Sequence, residues 1–302
     1  MVYTEVLTRN GKKYYYRVLS VRDKDNREKV TRKKIYLGAN LSVKNLILRE
    51  KGADKELGLL DYLLSEKERK VLERIQREFA KEPAENYDNS YESFCSLFTY
   101  DSAAIEGNTF SLQETSLLLF DKLVPQKPLR EVHEIMNHKE AFDYLLLYKE
   151  DITKSFICRL HSLVVKNTLR EHLTDQVGRY RISNVFIRGV EWKPPQSKEV
   201  PGEMRSLLSW YSRNKKKLHP FILACYFHVA FETIHPFVDG NGRVGRLLMN
   251  FILRKHKYPM INIPNKRKHE YYDALHDAQI HGNVRPFITF MYGLLSESVL
   301  RF

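Results

Sequence analysis

With 302 residues, 43% hydrophobic and 12% aromatic, the chain can bury a sizeable core. No apolar run approaches the roughly 20 residues of a membrane span; a typical long one is Phe221–Phe227. The formal net charge is +13, and 15 Lys or Arg against 6 Asp or Glu place +9 of it in residues 1–55, a bias that fits either a nucleic-acid-facing module or a lysine-rich solvated face.

The N-terminus, "MVYTEVLTRNGKK", lacks the apolar region of a signal peptide, and the cytoplasm is the expected compartment. Residues 2–37 alternate as strands do. "VYTEVLTR" and "KKYYYRVLSVR" flank Asn10-Gly11, where both residues tolerate positive φ, a strong hairpin signal. "DKDN" turns the chain again into "EKVTRKKIYLG". The expectation is a small, basic, three-stranded antiparallel module over 1–55, followed by a helical domain over 56–302.

Helical periodicity covers 42–51, 65–82, 90–105, 112–120, 129–149, 154–166, 199–214, 220–234, 242–256, 266–279 and 284–300. Ser111 precedes Glu114 as in a capping box, and Ser65, Thr153 and Asn283 read as helix starts. Between 178 and 196 the helical period stops. "GRYRISNVFIRGVEWKPPQ" reads as a short β-hairpin projecting from a mainly α domain. Cys95, Cys158 and Cys225 are far apart in apolar contexts and read as reduced core residues. His133 and His138 are five apart, so on a helix they diverge and do not form the H-E-x-x-H zinc pair. The three histidines of "KHEYYDALHDAQIHG" have no matching ligand set and read as solvent-facing.

The densest chemistry lies in "HPFVDGNGRVGR", residues 235–246. Pro236 ends the preceding helix and leaves His235 at a helix exit. Phe237 and Val238 can anchor the loop. Gly240, Asn241 and Gly242 allow backbone N–H groups to converge just ahead of a helix start, an anion site suited to phosphate. Arg243 and Arg246 share one helical face, and Asp239 offers a hard oxygen ligand beside the cradle. A base, a nest, a metal ligand and two cations are what a hydroxyl attacking a polyphosphate needs.

This stretch matches every defined position of the H-P-F-x-[DE]-G-N-G-R-x-x-R signature, and the chain resembles the Fic (Fido) domain family from about residue 90 to 295. The resemblance implies a helical core with a hairpin flap, and transfer of AMP from ATP to a protein hydroxyl with Mg²⁺ or Mn²⁺. His235 would be the base and Asp239 the metal ligand. Gly240, Asn241 and Gly242 would cradle the α-phosphate beside Arg243, and Arg246 would grip the γ-phosphate. The ATP-binding stretch would include Val244 and Gly245. Val185, Phe186, Ile187 and Arg188 would border the nucleotide, with the protein target lying along 185–192. Tyr271 and Tyr272 would line the adenosine pocket with Gln279, which stands where members often have Asn. The Doc branch, which phosphorylates with ATP, has Lys where this chain has Gly242 and lacks the second arginine. Gly242 with Arg246 therefore favours AMP transfer. Members often dimerise, and no surface in the sequence identifies such an interface.

Upstream, "SAAIEGN", Ser102 to Asn108, resembles the family's [ST]-x-x-x-E-[GN] inhibitory motif. The implication is an inhibitory helix over about 101–107 whose Glu106 takes Arg246 away from ATP. In some relatives this Glu instead positions a water that removes AMP. The alternative from another class is a nucleic-acid-binding regulator, supported by Tyr14, Tyr15 and Tyr16 among lysines on the basic sheet.

Overall fold

In the computed structural model, residues 2–22, 30–56, 63–80, 87–187 and 192–299 are described. The chain divides into two compact units, Met1–Ser65 and Glu66–Phe302.

The first unit is built on β1 (Val2–Arg9), β2 (Lys12–Arg22) and β3 (Val30–Ala39), antiparallel in that order, with α1 (Val43–Glu56) after them. Asn10 and Gly11 take φ of 48° and 73°, so both turn residues are left-handed, as a two-residue hairpin of this twist requires. The register sets Leu7 opposite Tyr14 and Glu5 opposite Tyr16, and a bulge interrupts the β2–β3 ladder between Tyr15 and Tyr16. Glu50 of α1 accepts from Thr4 and pairs with Arg17 at 3.5 Å, which ties the helix to the sheet.

The second unit is helical: α2 (Glu66–Phe79), α3 (Tyr87–Ile105), α4 (Leu112–Phe120), α5 (Leu129–Leu147), α6 (Lys154–Val164), α7 (Val200–Asn214), α8 (Pro220–Ile234), α9 (Asn241–Lys255), α10 (Lys268–His281) and α11 (Arg285–Val299). Its centre is α8 against α9. On α8, Phe221 to Cys225 and Phe227 to Val229 are all buried, so the helix is surrounded on every side. On α9, Val244, Leu247, Leu248, Met249 and Ile252 are fully buried. α3, α5 and α6 pack on α9, and α7, α10 and α11 pack on α8.

The local signals act as read. Ser111 Oγ accepts the Glu114 N–H at 3.1 Å while Glu114 accepts the Ser111 N–H at 2.7 Å. Thr153 Oγ1 accepts the Phe156 N–H at 3.1 Å to open α6. Asn283 accepts the Arg285 N–H at 3.3 Å at the start of α11. The periodicity does not reveal a 3₁₀ turn at Glu171–Gln176.

The expected hairpin falls partly outside the described residues. Among the described residues of 178–196 there is no strand, and residues 188–191 lie outside them. The two limbs are joined by a side chain: the Arg181 guanidinium donates to the carbonyls of Ser183 at 3.1 Å and Pro195 at 2.6 Å. Cys95 and Cys225 are buried, Cys158 is half-buried, and all three are free thiols. Among the described residues no cluster of His, Cys, Asp and Glu is fit to hold a metal, and no helix is long and apolar enough to cross a membrane.

Candidate active site

The site begins where α8 stops. Pro236 has no N–H to continue the helix, and His235 closes it in the left-handed region, φ 49° and ψ 62°. A non-glycine residue held there costs about 1–3 kcal/mol. Arg181, itself 2% exposed, stabilises the bend. Its Nε donates to the His235 carbonyl at 2.8 Å and its backbone N–H to the Pro236 carbonyl at 2.9 Å. The turn leaves the His235 ring within the electrostatic reach of Glu106 and Asp239. Burial pushes that imidazole down to about 4, with Arg181 adding to the effect and Glu106 and Asp239 opposing it. At neutral pH the His235 ring is therefore uncharged.

The loop that follows is rigid for identifiable reasons. Phe237 is fully buried and stacks face to face on His161 at 3.8 Å. Asn241 clamps the same residue twice, accepting the Phe237 N–H at 2.9 Å and donating to its carbonyl at 2.9 Å. The Asn241 side chain thus shapes the cradle, and the backbone N–H groups at the α9 start remain its donors. His161 Nδ1 accepts the Gly178 N–H at 3.0 Å, so Nε2 carries the proton and donates to the Asp239 carbonyl at 3.2 Å. Gly240 has φ 77°, and a Cβ there would lie 2.7 Å from Val165 Cγ1.

The charged groups form two sets. In the first, the Asp239 carboxylate lies between two guanidiniums, Arg243 at 3.3 Å and Arg130 at 3.4 Å. Glu134 joins the set through Arg130 at 3.2 Å and accepts from Asn108 at 2.9 Å. Arg243 is 2% exposed, and its Nε and Nη1 have no hydrogen-bond partner, so donor capacity is stored at the head of the helix. Asp239 is 37% exposed, and one such carboxylate with phosphate oxygens is a normal donor set for Mg²⁺ or Mn²⁺.

In the second set, Arg246 is 1% exposed. Its Nε donates to Ser102 Oγ at 2.9 Å, and its Nη2 donates to the Ser102 carbonyl at 2.8 Å and to Glu106 Oε1 at 2.8 Å. Burial works against that charge, but Glu106, Tyr271 and Glu232 together outweigh it and hold the guanidinium above its ordinary value. Glu106 Oε1 lies 2.1 Å from where a Cβ on Gly242 would stand, so its carboxylate occupies the space over the cradle.

The structure therefore brings together Ser102, Glu106, His235, Asp239, Gly240, Asn241, Gly242, Arg243 and Arg246. Val244 is fully buried core beneath them, and Gly245 gives way to Glu232 Oε1, 2.3 Å from its would-be Cβ. Tyr271 and Tyr272 separate. Tyr271 is 1% exposed with its hydroxyl 2.8 Å from His228 Nε2, whereas Tyr272 is 42% exposed and donates to the Ile105 carbonyl at 3.3 Å. Gln279, Val185 and Ile187 are half-buried, Phe186 is 84% exposed, and Arg188 lies outside the described residues. The sequence reading passed over Arg130, His161, Arg181, His228 and Glu232. His228 and Glu232 carried a signal: they are polar positions inside an otherwise apolar helix, at i and i+4, with His235 at i+7.

Residues 151–253 match the Fic/DOC family. Among curated relatives, the protein adenylyltransferase Fic of Nematostella vectensis is 37% identical over 198 residues, which cover 64% of this chain and 45% of that one. The protein adenylyltransferase fic-1 of Caenorhabditis elegans is 32% identical over 215 residues, 68% of this chain and 41% of that one. The chain thus spans less than half the length of these relatives. Among solved structures, a Fic-domain-containing signaling protein from Bacteroides thetaiotaomicron superposes with a TM-score of 0.70 at 28% identity, over 77% of this chain and 95% of that one. A fragment of Fic-1 from Caenorhabditis elegans superposes with a TM-score of 0.69 at 26% identity, over 87% and 77%.

Proposed function

We propose that this protein is an adenylyltransferase that transfers AMP from ATP to a hydroxyl side chain of a protein, itself included, and that Glu106 restrains it. The observation that carries the reading is an uncharged His235 held at the exit of α8 against the N–H cradle and two buried arginines of α9. Relatives at 32–37% identity bear the name protein adenylyltransferase.

His235 Nε2 takes the proton of the target hydroxyl as its oxygen attacks the α-phosphorus. The bond from that phosphorus to the pyrophosphate oxygen breaks. Backbone N–H groups at Gly240–Gly242 and the guanidinium of Arg243 receive the charge on the α-phosphate oxygens. A divalent cation on Asp239, when bound, neutralises charge on the phosphates. The target chain lies along the 185–192 segment.

Arg246 is the residue for the γ-phosphate, and Glu106 holds it at 2.8 Å. ATP then binds without its terminal phosphate anchored, so the α-phosphate is not aligned. Glu106→Gly is expected to raise auto-adenylylation by about tenfold or more, since each 1.4 kcal/mol of lost restraint is worth a factor of ten. His235→Ala in that background is expected to abolish it. Equal labelling of wild type and Glu106→Gly in a labelled-ATP assay would overturn the restraint. Release of AMP from a modified target by the wild type, lost in Glu106→Gly, would add a de-adenylylating role for the same carboxylate.

A further inference from the structure

Three buried polar atoms without a hydrogen-bond partner lie along one face of α8: His228 Nδ1, Glu232 Oε1 and His235 Nδ1. Their residues are spaced i, i+4 and i+7, so the side chains stand one above another. Such orphans are rare and costly, about 1–3 kcal/mol each, and one next to another calls for a common explanation. The row ends at Tyr271, whose hydroxyl is 2.8 Å from His228 Nε2. At the other end Glu232 Oε2 is 4.0 Å from His235 Nδ1. In the middle Glu232 Oε1 and the His228 ring crowd the same point over Gly245, 2.3 Å and 3.2 Å from its would-be Cβ. Any side chain at 245 would fill the gap in which these groups meet.

We propose that His235, Glu232, His228 and Tyr271 form a one-way hydrogen-bond chain in which Glu232 acts as a neutral carboxylic acid, keeps the His235 proton on Nδ1 and leaves Nε2 free as the base. The inference rests on the adenylyltransferase reading for its catalytic consequence, but not for its geometry. One arrangement of protons assigns each of these atoms a partner, across gaps longer than a hydrogen bond in this structure. His235 Nδ1–H donates to Glu232 Oε2, Glu232 Oε1–H donates to His228 Nδ1, and His228 Nε2–H donates to the Tyr271 oxygen. The gap at His235 tightens when a target hydroxyl engages the other face of the ring.

The protonation states agree with this direction. Burial pushes the Glu232 carboxyl up to about 8, Glu106 adding to the effect and Arg246 opposing it. Burial holds the His228 imidazole near 3 and that of His235 near 4, so both rings are neutral. The groups facing Glu232 are Arg246 from α9, Glu106 from the end of α3, Tyr271 from α10, and His228 and His235 on its own helix. Backbone carbonyls of Gly245 and Glu232 also approach the His228 and His235 rings. A His228 proton directed at Gly245 would leave the Glu232 hydroxyl without an acceptor, which disfavours that tautomer. Glu232, His228 and Tyr271 are thus positioning residues: they set the tautomer of His235 and touch no substrate.

A carboxylate would be disabled by amidation, whereas a neutral acid would not. Glutamine supplies the same carbonyl to His235 and the same donor to His228. In the Glu106→Gly background at saturating ATP, where the γ-phosphate takes the place of that carboxylate at Arg246, Glu232→Gln is expected to label within about threefold of its parent. Glu232→Ala is expected to lose about tenfold or more in kcat, with KM for ATP unchanged. The parent's activity should fall above pH 8 as Glu232 loses its proton, and the Gln variant should lack that fall. Independently of activity, ¹⁵N histidine spectra of the wild type and Glu232→Gln should show His235 protonated at Nδ1, with the tautomers mixed in Glu232→Ala. His228→Phe removes the acceptor at similar volume and should mix them as well. Loss in Gln as deep as in Ala, or full activity and an unchanged His235 tautomer in Ala, would overturn the chain. If Glu106→Gly is folded and labels nothing, the adenylyltransferase reading fails, and the spectra still decide the chain.

Discussion

Gly242 and Gly245 lie three apart on α9, and each leaves room for a different carboxylate, Glu106 at one and Glu232 at the other. The two spaces have different walls. A methyl group at 242 would lie 2.1 Å from Glu106 Oε1, at the end of a side chain that is 35% exposed, and 3.0 Å from Arg246 Nη1. Gly242→Ala is therefore expected to displace Glu106 and label above wild type, and the double variant with Glu106→Gly should gain nothing more. No rise would show that Glu106 restrains the site by another contact. A methyl at 245 meets Glu232 and His228, both buried and unable to yield. Gly245→Ala should destabilise the unit by about 1–3 kcal/mol. At about 2–4 °C per kcal/mol, calorimetry should find Tm lower by several degrees. An unchanged Tm would mean that the gap over Gly245 is wider than drawn.

At the scale of elements, the helices do what their ends say. Proline at the exit of α8 and the serine, threonine and asparagine caps of α4, α6 and α11 are local interactions, so their positions are legible residue by residue. Periodicity cannot show which side chain will join two limbs. Arg181 is one of three arginines in a stretch whose Val, Ile and Phe drew the reading to strands. The fold sets its guanidinium among the carbonyls of Ser183, Pro195 and His235. α6 bears on the site through His161, which holds the Asp239 carbonyl. Thr153→Ala removes the cap of α6 at a cost of about 1 kcal/mol. Tm should fall by about 2–4 °C while the labelling rate of Glu106→Gly at 25 °C stays the same. A lost rate would show that the cap, and not only the body of α6, positions the loop.

At the scale of the whole molecule, buried histidines set the response to acid. His138, His161 and His228 are fully buried, and burial depresses them to about 3, 4 and 3. Arg246 and Arg243 add to the effect at His138. In the unfolded chain each titrates near 6.5. The unfolded state therefore binds more protons below that value, and the stability held above it is lost as pH falls from about 6.5 towards 4. Each group contributes a slope of up to about 1.4 kcal/mol per pH unit. Glu232 acts in the opposite sense, since its raised value favours the fold below about 8, but it stands against these three and against His219 and His235, which burial also depresses to about 4. Tm is expected to fall steeply between pH 6.5 and 4, and a flat profile across that window would show the histidines charged or solvated in the folded state.

What the sequence determined by itself is whatever depends on neighbours within a few positions: the hairpin at Asn10-Gly11, the caps, the helix spans, and the run from His235 to Arg246. That run is compact because a helix start, a glycine-bearing turn and a proline stop are local devices, so an entire cradle fits in twelve positions. The tertiary structure alone decided what each cradle residue meets. Glu106 reaches Arg246 across 140 positions because α3 packs on α9. Arg130 comes to Asp239 across 109 because α5 packs there as well. His228 and Glu232 become a row with His235 only where α9 offers Gly245 opposite them. Burial supplies the rest: a carboxyl that would be charged in water at neutral pH, and an imidazole that would be partly so, stand uncharged side by side once helices close over them.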